Sequence, residues 1–167
     1  KLDGVFVIDF IGLDRTASTR GPISPFEPMT LLAAMAACTE RVGLIGTMST
    51  LFNYPANVAR QLSSLEHLSG GRSGWNLVTS FKNEGLFGYE SLPSPKERYD
   101  AAQEFLDITD ALWDSWDADA VVADQDAGIW ADVSKIRDVH HDGTHHRVHG
   151  GLDSPRSPQG RPVIMQA

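Results

Sequence analysis

The sequence predicts an α/β fold with a parallel sheet, and three observations carry that prediction. Short unbroken apolar runs, such as Val5-Phe6-Val7-Ile8 and Val42-Gly43-Leu44-Ile45-Gly46, read as strands buried on both faces, the habit of parallel sheets. Between them lie stretches whose apolar residues recur at helical spacing. Strand and helix then alternate three times, the grammar of βα units. Periodicity alone fits an open doubly wound sheet and a closed barrel equally. The missing Gly-x-Gly-x-x-Gly weakens the dinucleotide-binding version.

The first strand, Val5–Ile8, ends at Asp9. Residues 12–26 carry Gly and Pro punctuation and several hydroxyls, and read as a long loop of the kind that can form part of a lid. Glu27-Pro28 opens a helix, because Pro at the first helical position loses no hydrogen bond. The Ala/Leu/Met-rich stretch through Thr39 sustains it. The second strand, 42–46, runs into Thr47-Met48-Ser49-Thr50. Pro55 starts a second helix with Val58, Leu62, Leu65 and Leu68 as its apolar stripe, and Gly70-Gly71 stops it. Gly74-Trp75-Asn76-Leu77-Val78-Thr79-Ser80 is a third strand with a polar end. A third helix, Lys96 to Trp113, buries Ala102, Phe105, Leu106, Leu112 and Trp113. Asp114 to Asp126 reads as solvated acidic surface. The His-rich segment 140–149 reads as turns or a hairpin, and Pro162–Gln166 as a fourth strand.

Composition narrows the function classes. The chain has 167 residues, 14 Lys+Arg against 22 Asp+Glu and a net charge of −8. That acidic balance argues against a general nucleic-acid binder, which needs a basic patch. No apolar run approaches the roughly 20 residues of a membrane helix. The single cysteine, Cys38, excludes an internal disulfide framework and fits a reducing, cytoplasmic setting. In the Ala-rich helix it reads as a small buried hydrophobe. The start, Lys1-Leu2-Asp3-Gly4, has neither an initiator Met nor the form of a signal peptide.

Three consecutive strands finish in small polar groups: Asp9, then Thr47/Ser49/Thr50, then Asn76/Thr79/Ser80. Ligands of parallel α/β folds sit at the C-terminal ends of the strands. Any one of these could merely cap a helix; three in succession point to one mouth. Mostly neutral hydrogen-bonding groups suit a flat, heteroatom-rich organic ligand better than a metal. Five histidines (His140, His141, His145, His146 and His149) crowd ten residues, yet their spacing fits no standard zinc pattern, so a connecting turn is the reading preferred over a metal site. His67 reads as a helix-end histidine favoured by the dipole. Arg72 could hold either an anion or a neighbouring carboxylate.

The segments Asn57-Val58-Ala59-Arg60, Leu65-Glu66-His67-Leu68-Ser69-Gly70-Gly71-Arg72 and Gly74-Trp75-Asn76-Leu77-Val78-Thr79-Ser80 together form one signature. It resembles that of the bacterial-luciferase-like flavin monooxygenases, in the branch of nitrilotriacetate, dibenzothiophene-sulfone and long-chain alkane monooxygenases. Glu97-Arg98-Tyr99, Ala111–Trp116 and Ser157–Ala167 extend the likeness over almost the whole chain. The resemblance implies a TIM-like (β/α)8 barrel, of which residues 1–167 would be a partial domain supplying about the first half. A complete barrel takes about 250 residues, so the chain is expected to be truncated at both ends, completed by another chain, or paired with a second copy.

The resemblance further implies a two-component system. A separate NAD(P)H:flavin reductase supplies reduced FMN; the oxygenase adds O2 to it, giving a flavin hydroperoxide, and oxygenates a small organic substrate. The cofactor supplies the chemistry; the protein orients it and excludes water. Asp9, Thr47, Asn76 and Tyr99 fall at the family's flavin-contacting positions, with Ser49, Thr79 and Ser80 beside them. An Asn next to the ring can donate and accept at once. Trp75, on the opposite face from Asn76, reads as packing. One departure is Pro95, where the family commonly has His. The alternatives are deazaflavin-dependent hydride transfer within the same superfamily, which the signature around Asn76 disfavours, and a non-catalytic structural or interaction module.

Overall fold

The computed structural model describes residues 2–21, 24, 26–80 and 82–166. Lys1, Pro22, Ile23, Pro25, Phe81 and Ala167, and with them parts of the expected loop 12–26 and of the C-terminal motif, lie outside the described residues.

Strand β1 (Gly4–Val7) is followed by a loop holding one 3₁₀ turn, Ala17–Arg20. Helix α1 (Pro28–Cys38) begins with Pro28 at its first position, and the Glu27 carboxylate accepts from the N–H groups of Met29 (2.8 Å) and Thr30 (2.7 Å). A negative charge there suits the positive end of the helix dipole. Strand β2 (Gly43–Ser49) leads to helix α2 (Pro55–Ser69). Gly70 ends α2 at φ 65°, a left-handed conformation that a side chain would strain. Strand β3 (Ser73–Val78) is followed by helix α3 (Pro95–Trp113), capped by a Ser94/Glu97 capping box. Two antiparallel hairpins come next, β4 (Val121–Asp124) with β5 (Ile129–Ala131), and β6 (Val139–Asp142) with β7 (Arg147–Gly150). Strand β8 (Val163–Met165) closes the order.

The main sheet is wholly parallel, in the order β1-β2-β3-β8. Its residues alternate between two faces. Leu44, Met48 and Trp75 join Leu32 of α1, Val58, Leu62 and Leu65 of α2, and Phe105, Ile108 and Leu112 of α3 in one core. Gly46 lies on the same side: a Cβ there would stand 3.0 Å from Leu32 and 3.1 Å from Met29, so its absence lets α1 settle on the strand. Trp75 is fully buried, donates its indole N–H to the Met48 carbonyl (3.0 Å) and contacts Phe105 and Trp113. It is a packing residue, as its position opposite Asn76 predicts.

Several expectations need correction. Leu68 is not part of the buried stripe; it is exposed, and α2 instead buries Ala59 and Glu66 beside Val58, Leu62 and Leu65. The stripe turns with 3.6 residues per turn, so position 68 swings off it. Cys38 is exposed for the same reason, since α1 buries Met29, Leu32 and Ala36. Arg72 holds neither an anion nor a carboxylate. Its guanidinium donates to the carbonyls of Ala36, Thr39, Val42 and Ser69 and to the Thr39 hydroxyl, joining the C-terminal ends of α1 and α2. Helix ends leave the carbonyls of Ala36, Thr39 and Ser69 without intrahelical partners, and a cation there also suits the dipole. The His67 ring contacts the Pro155 carbonyl (3.1 Å), a tertiary tie beyond a dipole effect. The acidic stretch is more than solvated surface: Ser115, Trp116 and Ala120 are buried, and residues 121–124 form β4. Asp114 accepts from Arg156 and Arg161; the Arg161 hydrogen bond above all holds its carboxyl below the usual range.

The His-rich segment is the β6–β7 hairpin. Glu104 of α3 fixes its turn by accepting from the backbone N–H groups of His145 (3.0 Å) and His146 (2.8 Å) and pairing with the His141 ring (3.0 Å). Burial pushes the Glu104 carboxyl up, but the three hydrogen-bonded groups together outweigh it and bring the pKa down to about 2. Among the described residues, no three His, Cys, Asp or Glu side chains are placed to hold a metal ion.

Candidate functional site

The side of the sheet away from the helices opens into a cavity of about 530 Å³. That is ample for an organic ligand. Its walls come from the C-terminal ends of β1, β2 and β3, the segments that follow them, the first turn of α3 and Gln166 after β8. Parallel strands deliver their last residues to one edge, so residues dozens of positions apart in sequence meet there.

All seven side chains singled out from the sequence line this one cavity: Asp9, Thr47, Ser49, Asn76, Thr79, Ser80 and Tyr99. Thr47 and Asn76 are register partners on β2 and β3. Both are buried, and the Asn76 side-chain amide donates to the Thr47 hydroxyl at 3.0 Å. The pair is therefore held in a fixed orientation inside low-dielectric surroundings. Ser49 is buried as well. Its oxygen accepts from the N–H groups of Leu51 (3.1 Å) and Phe52 (3.3 Å) and lies 2.6 Å from the Ser80 oxygen. With both lone pairs engaged, the Ser49 hydroxyl donates its own proton to Ser80. Ser80 holds φ 59°, unusual for a residue with a side chain. Asp9 is half-buried, and burial, then the negative charge of Glu27, raise its pKa. Tyr99 is the exposed member, at 55%.

Apolar surface completes the cavity, from Phe6, Ile8, Phe10, Phe52 and Leu77 among others. Phe52 is stacked on Phe87 with ring centres 4.2 Å apart and planes 7° from parallel, which fixes its ring. Sequence reasoning missed Phe52, Lys82, Asn83 and Arg98 as lining residues. For Arg98 a signal existed, since it lies inside the Glu97-Arg98-Tyr99 motif. Asn83 gave none; its amide donates to the Ile11 carbonyl and joins two loops that only the fold brings together. Pro95 is the first residue of α3 and does not line the cavity.

The donor set can be tested against a flavin. An amide, five hydroxyls and a carboxyl offer both donors and acceptors, and the flat faces of Phe52 and its neighbours lie beside them. A planar heteroaromatic ring needs that combination, and these residues fit one.

A parallel α/β sheet with a polar-edged cavity at the C-terminal ends of its strands is compatible with part of a TIM-like barrel, and comparison with known proteins places it there. The chain belongs to the luciferase-like monooxygenase family, whose sequence pattern matches residues 2–167. It is similar to dibenzothiophene-sulfone monooxygenase of Rhodococcus erythropolis, with 44% identity over 99% of this chain and 38% of that protein. In structure it is similar to long-chain alkane monooxygenase, with a TM-score of 0.90 and 35% identity over 99% of this chain and 41% of that one. It also resembles riboflavin lyase solved with modified FMN and riboflavin, with a TM-score of 0.83 and 33% identity over 99% of this chain and 38% of that one. The chain thus spans about two fifths of the length of the relatives it matches, and it supplies part of a TIM-like barrel. The branch of dibenzothiophene-sulfone and alkane monooxygenases expected from the central signature is the one found.

Proposed function

We propose that the protein acts as the oxygenase component of a two-component flavin monooxygenase. Reduced FMN arrives from a separate NAD(P)H:flavin reductase, O2 is the co-substrate, and a small organic compound receives one oxygen atom. The observation that carries this reading is the convergence of seven hydrogen-bonding side chains from four separate segments on a single, mainly apolar cavity.

Bound there, reduced flavin supplies the activation of O2 and the oxygen transfer. The chain's own residues bind and orient. Asn76, its side chain oriented by the hydrogen bond to Thr47, would hold the cofactor through its amide. The Ser49–Ser80 hydroxyl pair and Thr79 add acceptors and donors beside it. Asp9, its carboxyl pKa raised by burial and then by the charge of Glu27, faces the same space as a further cofactor contact. Tyr99 offers a hydroxyl at the mouth, and Phe52, Ile8 and Leu77 keep water from the reacting face. Residues 1–167 form a partial barrel domain in this reading, completed by further chain, by another polypeptide or by a second copy. No helix among the described residues is long and apolar enough to cross a membrane, and we place the protein in the cytoplasm with its reductase.

Anaerobic titration of the full protein with reduced FMN tests the reading, with Asn76→Ala as the comparison. Losing a buried amide contact is expected to weaken binding about tenfold, since one such hydrogen bond is worth about 1.4 kcal/mol. Unchanged affinity removes Asn76 from the site. A preference for deazaflavin points to hydride transfer, and a folded protein that binds no flavin points to a structural module.

A further inference from the structure

No described residue of the segment between β3 and α3, positions 79–94, belongs to the hydrophobic core or packs against it. Its side chains reach instead to the end of β2 and to the loops that follow β1 and β2. The Asn83 amide donates to the Ile11 carbonyl, and the Tyr89 hydroxyl donates to the Leu51 carbonyl at 3.2 Å. Phe87 stacks on Phe52, and the Tyr89 ring stands 6.2 Å from the same Phe52 ring. Ile11, Phe52 and Asn83 line the cavity; Phe87 and Tyr89 do not.

The backbone is shaped for these ties. The 3₁₀ turn Glu84–Phe87 is bracketed by two left-handed residues, Asn83 at φ 67° and Gly88 at φ 81°. Asn adopts that conformation at lower cost than most side chains. Gly12, at φ 102°, leaves room for Asn83, whose side chain a Cβ at position 12 would approach to 2.7 Å. Left-handed non-glycine backbone of this kind concentrates at ligand sites, where the surroundings hold it in place. Phe87 is 41% exposed, so the stack places its ring and burial in the core does not.

A supported ring differs mechanically from a free one. An unsupported Phe ring turns easily, because its outer torsion is broad. With Phe87 against it at 4.2 Å and 7° from parallel, Phe52 keeps one ring plane. A wall that is already ordered spares a ligand the entropy of ordering it.

We propose that Phe87 is a positioning residue for the cavity's ligand, acting through Phe52 to hold a flat apolar wall for a planar ring system. The inference rests on the cavity's being the flavin site described above, and one arm of its test needs no ligand.

The experiment uses the full protein and titrates it with riboflavin, followed by quenching of the flavin fluorescence. Phe87→Ala should weaken riboflavin about fivefold, the loss that one aromatic pair accounts for. Phe87→Tyr keeps a flat ring and should bind like the wild type, whereas Phe87→Leu should bind like Phe87→Ala. Phe52→Ala should also weaken binding, and adding Phe87→Ala to it should change nothing further, because the partner through which Phe87 acts is gone. The urea midpoint of Phe87→Ala should match the wild type. Unchanged riboflavin affinity in Phe87→Ala overturns the proposal. So does a loss that adds to that of Phe52→Ala, that Leu restores as well as Tyr, or that comes with a lowered urea midpoint. The second arm compares crystal structures of the ligand-free wild type and Phe87→Ala. The Phe52 ring should leave its place or occupy several; a ring in the same single position overturns the proposal. A wild type that binds no riboflavin refutes the flavin reading, and the ligand-free structures then decide the role of Phe87 alone.

Discussion

Replacing Glu104 by Gln should loosen the β6–β7 hairpin from helix α3. The carboxylate accepts from two backbone N–H groups, at 3.0 and 2.8 Å, and from the His141 ring at 3.0 Å. Hydrogen bonds to a charged acceptor are worth about 1.5–3 kcal/mol each, and they do not add fully within one cluster. Gln keeps one carbonyl oxygen but turns the other acceptor into an NH2 group facing backbone N–H donors. A loss of about 2–4 kcal/mol is therefore expected. Urea denaturation of the wild type and the variant at pH 7 measures it. The pH dependence supplies a second check. The folded pKa of Glu104, about 2, lies below the ordinary value of 4.5. A depressed carboxyl stabilises fully above the unfolded pKa and loses that contribution as pH falls through the folded one. The gap between wild type and variant should thus be constant above about pH 5 and shrink between 4.5 and 2. A difference under about 0.5 kcal/mol at pH 7, the range of ordinary surface changes, or a gap that widens in acid, refutes the assignment.

Two further substitutions probe the packing. Arg72→Met leaves the carbonyls of Thr39, Val42 and Ser69 without their donor and should destabilise by about 3 kcal/mol in the same urea assay. Leu62→Ala, at a fully buried position, should cost about 2–5 kcal/mol, whereas Leu68→Ala, at an exposed one, should stay within about 0.5 kcal/mol.

The sheet and its three helices were legible because their signals are local. Pro28 and Pro55 open helices, Gly70 ends one, and the apolar runs carry no charge to place them at the surface. The site was legible for a related reason: parallel strands bring their C-terminal residues to one edge, so Asp9, Thr47 and Asn76 could be grouped before any distance was known. What escaped notice depends on contacts across the fold. Arg72 reaches carbonyls 30 and 33 residues away in sequence, and nothing in its neighbours announces them as its partners. Leu68 keeps helical spacing with Leu65, but the angular drift of the helix decides which of the two is covered. Phe52 joins the cavity wall because the later segment carrying Phe87 folds back on it.

A crystal structure of the full protein soaked with FMN under anaerobic reduction tests the central claim most directly. The account predicts the isoalloxazine ring against Asn76 and Thr47, with a ring heteroatom about 3 Å from the Asn76 amide. A flavin seated elsewhere, leaving that pair facing solvent, contradicts it.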